Sequence, residues 1–132
     1  MKQPTKEWLS AAGDDLTTIE WILDNPSLTN IVAFHSQQAV EKSFKAIIEE
    51  FGISFIRTHN LQSLLLKIDE VIPFSVDELI ISELDRLYTD ARYPTDLGLM
   101  PQGKPTVEEA ERYYQEALKI KRHVEEFLLK RT

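Results

Sequence analysis

A chain of 132 residues with a net charge of −7 and no cysteine has enough material for one domain around a single core. The missing cysteine excludes disulfides, thiolate metal sites and a Cys nucleophile, and makes a reducing cytoplasm the expected setting. The acidic balance argues against tight, sequence-independent binding to a long nucleic acid, while leaving room for a local basic cleft.

The opening stretch MKQPTKEWLSAAGDD has no apolar run that would serve as a signal peptide, and no later segment approaches the roughly 20 apolar residues of a membrane span. Apolar residues recur at three- and four-residue spacing almost throughout, which predicts an all-α, up-and-down bundle of about five helices in a single domain over residues 1–132. The first helix is expected to follow Thr5 as its cap, to carry Trp8, Leu9, Ala12, Leu16, Ile19 and Leu23, and to stop at Asn25-Pro26. Trp8 and Trp21 read as core or interface. A longer second helix runs from about Leu28 to Phe51, with Gly52 as its stop. ISFIRT has no partner strand and reads as a loop. The third helix starts near Thr58 and carries Leu61, Leu64, Leu65 and Ile68. Ser75-Val76-Asp77-Glu78 has the spacing of a capping box and opens a fourth helix through Leu79, Ile80, Leu84 and Leu87 to about Ala91. Residues 94–105, rich in Pro and Gly, read as an irregular loop. Thr106-Val107-Glu108-Glu109 is a second capping box, leading a last helix to about Lys130. Glu108, Glu109, Glu111 and Glu116 read as its charged surface.

Chemistry concentrates in two places. On a wheel of the second helix, Ala33, Val40, Phe44, Ile47, Ile48 and Phe51 fall on one side, and His35, Gln38, Lys42, Lys45 and Glu49 form a narrow polar band on the other. Gln37 lies at the edge of the apolar side. The band is either the solvent face or a partly buried seam in a dimer interface or cleft. The small residues Ala33, Ser36, Ala39, Ser43 and Ala46 permit close approach of a neighbouring helix or a second subunit. The other place is Arg57-Thr58-His59-Asn60, either a simple helix cap at Thr58 or an anion site in which Arg57 adds donors to helix amides. Tyr88, Arg92 and Tyr93 near the end of helix four suit a phosphate and a stacked base, or a core position with Arg92 paired to Asp90 or Asp96. The three His lie on separate elements, and no metal-ligand spacing, phosphate loop or nucleophile motif is present.

FHSQQAVEKSFKAII, RTHNLQSLL and YTDARYP, in this order after Trp8, resemble the HEPN (higher eukaryotes and prokaryotes nucleotide-binding) domain family over roughly residues 8–128. The resemblance implies a helical bundle dimerised through long central helices, often standing beside a minimal nucleotidyltransferase in toxin–antitoxin pairs. It also implies, in active members, RNA cleavage by Arg-x(4–6)-His. That motif is absent: none of Arg57, Arg86, Arg92, Arg112 and Arg122 has a His at the required distance. Without the paired His, phosphodiester cleavage loses its obvious proton carrier. The expectation is a non-catalytic, homodimeric module that binds a nucleotide or phosphorylated ligand near His35, Gln38, Lys42, Arg57, His59, Tyr88, Arg92 and Tyr93. It needs no cofactor or metal, partners a nucleotidyltransferase, and leaves nucleotide or RNA as the ligand. A ribonuclease with a rearranged site and a purely structural interaction domain are the alternatives.

Overall fold

The computed structural model describes residues 1–54, 57–91 and 103–131. Five helices form, with no β-strand among the described residues: α1 Gln3–Ile22, α2 Thr29–Phe51, α3 Leu61–Ile68, α4 Glu78–Ala91 and α5 Val107–Arg131. One turn of 3-10 helix, Pro26–Leu28, joins α1 to α2 under an Asn25 side-chain cap.

α2 is the axis of the bundle and packs against all four other helices. Its apolar side supplies Val40, Phe44 and Ile47, each fully buried. All five of its small residues, Ala33, Ser36, Ala39, Ser43 and Ala46, are buried within the single chain. They admit α1 and α5 closely, because a short side chain lets a neighbouring helix approach. Gly52 ends α2 in the left-handed conformation at φ 60, and its amide returns to Glu49 and Ile48 carbonyls. The same end of α2 ties down the start of α1: the Lys2 amide and the Thr5 hydroxyl both donate to Glu50 Oε1, each at 2.9 Å. The Lys2 amide's bond is the main reason the Glu50 carboxyl lies below its ordinary range.

Several local expectations are corrected by this geometry. Thr5 is not the cap of α1, which starts at Gln3 with Pro4 in its first turn; Thr5 is buried and spends its hydroxyl on Glu50. α3 begins at Leu61 rather than Thr58, with Asn60 as its cap accepting from the Ser63 amide at 2.9 Å. Ser75 does not cap α4; Asp77 accepts from the Ile80 amide at 3.2 Å instead. Leu79 is 69% exposed, and Ile81 takes the buried place beside Ile80 and Leu84. Trp21 is 85% exposed, which overturns the core half of its expectation and leaves the interface half standing. Glu116 is buried, not surface, and accepts from the Asp77 amide at 2.9 Å across the α4–α5 junction. The second capping box forms as expected, with Thr106 and Glu109 exchanging bonds of 2.8 and 3.0 Å. Of the loop expected over 94–105, residues 94–102 lie outside the described residues.

Because α5 is launched by that reciprocal cap, Thr106→Ala should cost about 1 kcal/mol. Urea denaturation would register this as a lower midpoint with an unchanged slope.

Candidate functional site

The polar band of α2 is half-buried, and its partners come from the same chain. Asp15 sits on the inner stripe of α1, three residues after Ala12 and four before Ile19, and is itself buried. Its two carboxylate oxygens accept from His35 Nδ1 at 2.8 Å and from Lys42 Nζ at 2.7 Å. Lys45 Nζ reaches Glu41 at 2.8 Å and lies 5.2 Å from the centroid of the Trp8 ring. Within the chain, His35 and Lys42 of the band are joined to α1 through Asp15, so this part of it is a partly buried seam rather than a plain solvent face. It is the seam that locks α2 to α1.

A second network starts on the inner face of α2. Gln37 is fully buried; its Nε2 donates to Glu41 Oε1 at 3.1 Å and to the His59 carbonyl at 3.0 Å, while its Oε1 accepts from Gln38 Nε2 at 2.7 Å. Glu41, also buried, meets His59 Nδ1 with both oxygens at 3.1 Å. A carboxylate only accepts, so this Nδ1 carries the hydrogen and the other ring nitrogen, Nε2, is turned away from Glu41.

His59 opens onto a cavity of about 360 Å³ lined by Arg57, Thr58, His59, Asn60, Asp85, Tyr88 and Thr89. Its floor is α4, where Asp85 accepts from the amides of Leu61 and Gln62 at 2.7 and 3.2 Å. With the Ser63 amide taken by Asn60, the start of α3 already has its acceptors. The helix-amide half of the anion expectation does not hold, because Asp85 takes the Leu61 and Gln62 amides; Arg57 remains a lining residue of the cavity. Thr58 is not a helix cap either, since its hydroxyl accepts from the Asn60 amide at 3.0 Å within the loop. Burial pushes the Asp85 carboxyl above its ordinary value; the two amide bonds pull it down and the nearby Glu41 charge adds to the rise.

A row of rings links the two networks. The Phe34 ring meets His35 edge-on at 5.3 Å and stacks on Tyr88 at 6.0 Å and 20°, and Tyr88 meets His59 at 5.5 Å. Of the residues singled out from the sequence, Arg57, His59 and Tyr88 line the cavity. His35 stands at the far end of the ring row, Lys42 is committed to Asp15, and Gln38 is committed to Gln37. Arg92 and Tyr93 lie outside the described residues. Sequence reasoning missed Asp15, Gln37, Glu41 and Asp85 as site-builders and Phe34 as part of the ring row. The available signal was a polar residue at an apolar stripe position: Gln37, Glu41, Phe44 and Ile48 follow one another at helical spacing. Among the described residues no group of three or more His, Asp or Glu is placed to hold a metal ion, and no helix is long and apolar enough to cross a membrane.

The HEPN domain model matches residues 5–128, so the chain belongs to the HEPN domain family, a nucleotide- or RNA-related class of module. The crystal structure of TT1696 from Thermus thermophilus is similar, with 28% sequence identity and a TM-score of 0.68. That likeness covers 95% of this chain and 98% of the other. No curated protein matches this chain.

Asp85 makes the stability of the fold depend on pH. Its folded-state value is raised above the ordinary 3.8, so the folded protein binds more protons than the unfolded chain between those two values. Its contribution is most favourable at acid pH and is lost as pH rises through the window. Relative to Asp85→Asn, the wild type should lose stability as pH is raised above the ordinary carboxylate value of 3.8, read from denaturation midpoints at a series of pH values. Asp85→Ala, which strips two amides of their acceptor, should cost about 1–3 kcal/mol.

Proposed function

We propose that this chain is a non-catalytic HEPN binding module that holds a nucleotide or other phosphorylated ligand in the Arg57–His59–Tyr88 cleft. The observation that carries this reading is the presence of a guanidinium, an imidazole and a phenol ring in one cavity of about 360 Å³, with Phe34 stacked behind the phenol. Arg57 would take the phosphate with its fork of donors, since a guanidinium matches phosphate oxygens two at a time. The Tyr88 and Phe34 rings would offer a base a stacking surface. Asp85, buried against the amides of α3, shapes the cavity from below while its charge remains directed at those amides.

The absence of Arg-x(4–6)-His supports a binding role over RNA cleavage. Family membership, rather than the cleft, supports the remaining parts of the reading: a cytoplasmic homodimer that partners a minimal nucleotidyltransferase as a toxin–antitoxin-like pair.

Arg57 is exposed, so Arg57→Ala should leave the thermal midpoint within about 1 °C, as surface substitutions commonly do. It should weaken adenosine monophosphate binding by about tenfold or more, in line with a hydrogen bond to a charged group. Calorimetric titration checks the second expectation. Equal affinity in the variant, or no binding by the wild type, would sink the assignment. Affinity capture of the tagged chain from its native lysate checks the partner: a nucleotidyltransferase in stoichiometric amount supports the pairing, and its absence counts against it.

A further inference from the structure

The Gln37–Glu41–His59 network does more than brace a loop, and the reason lies in how His59 is held. Two independent bonds fix the residue: its carbonyl accepts from Gln37 Nε2 at 3.0 Å, and its ring Nδ1 faces both oxygens of Glu41 at 3.1 Å. Both holding groups are buried, and both are anchored in turn. Lys45 Nζ donates to Glu41 at 2.8 Å, and Gln38 Nε2 donates to Gln37 at 2.7 Å. The His59 side chain is nevertheless 53% exposed, so its held edge points into the protein and its other edge is open to the cleft. An imidazole whose Nδ1 hydrogen is committed to a carboxylate has, when neutral, a bare Nε2 that accepts a hydrogen bond and has none to give.

We propose that Glu41, assisted by Gln37, is a positioning residue that makes His59 Nε2 an acceptor facing the cleft, and so selects ligands that present a hydroxyl beside their phosphate. The chemical class is a nucleotide that keeps its ribose hydroxyls. The phosphate lies at Arg57, and a sugar O–H donates to His59. This deepens the nucleotide reading of the cleft and rests on it. Gln37 and Glu41 come from the His-x-Gln-Gln-x-x-Glu-Lys stretch and His59 from the Thr-His-x-Leu stretch, so the two sequence elements meet in one hydrogen-bond network.

The test has two arms. In the first, nitrogen NMR on histidine-labelled protein, at a pH where the His59 ring is neutral, reports which ring nitrogen carries the hydrogen. The wild type should show protonated Nδ1 and bare Nε2. Glu41→Gln keeps an acceptor oxygen and should retain that form. Glu41→Met has none and should shift to the Nε2–H form. In the second arm, adenosine monophosphate and its 2′,3′-dideoxy counterpart are titrated against each protein at the same pH. The wild type and Glu41→Gln should prefer the ribonucleotide about fivefold, the effect of one net hydrogen bond, and Glu41→Met should show no preference.

A wild type with hydrogen on Nε2 overturns the proposal by itself, even if Glu41→Met fails to fold. An undiminished preference in a folded Glu41→Met overturns it as well. If neither nucleotide binds while the NMR form is as expected, the nucleotide reading and the selectivity built on it fail. The orientation of His59 by Glu41 then stands.

Discussion

The cleft hangs on one buried carboxylate. Glu41 lies in the middle of the central helix with only 3% of its surface exposed, a position where an unpaired charge would be strongly destabilising. Three donors surround it: Gln37 one turn before, Lys45 one turn after, and His59 from the segment leading into α3. The first two share a helix face with Glu41 because residues four apart stack along the axis. They satisfy the carboxylate whatever the loop does. His59 then joins an acceptor that is already held rigid. The loop wall of the cleft takes its position from α2, which packs against all four other helices.

The same device recurs at the other junctions. Asp15 ties α1 to α2 through His35 and Lys42; Asp85 ties α4 to the start of α3; Glu116 ties α5 to the start of α4; Glu50 ties the end of α2 to the start of α1. In a chain of net charge −7, these carboxylates serve as internal acceptors rather than as surface repulsion. Three of them end on backbone amides, the groups that helix termini leave unsatisfied. The environments differ in consequence. Burial dominates at Asp85 and raises its carboxyl, whereas the amide bond dominates at Glu50 and lowers it.

The helices were legible because apolar spacing is a local property. The stripes of α1, α2, α3 and α5 follow the pattern that burial demands, and the Thr106–Glu109 cap is contained within four residues. What misled was chemistry completed from a distance. Thr5 has the look of a cap, but Glu50 is 45 residues away in sequence and claims its hydroxyl. Asp85 resembles any carboxylate on an amphipathic helix, and only the fold reveals that it meets the amides of α3. The His35–Gln38–Lys42 band was recognisable as polar. Its partner Asp15 could be inferred only from an acidic residue interrupting an apolar stripe. Arg57, His59 and Tyr88 come together from two separate segments, and no spacing in the sequence encodes that meeting.

The unequal surroundings of the two tryptophans give the molecule an internal spectroscopic contrast. Trp21 projects from the end of α1 and meets bulk water whether the chain is folded or not. Trp8 is partly buried against the core, with the Lys45 ammonium 5.2 Å from its ring, and the same ammonium is bonded to Glu41. Indole emission therefore divides into a steady component from Trp21 and a responsive component from Trp8. The responsive component lies one ion pair from the carboxylate that holds His59, so strain applied at the cleft has a short optical path to the outside.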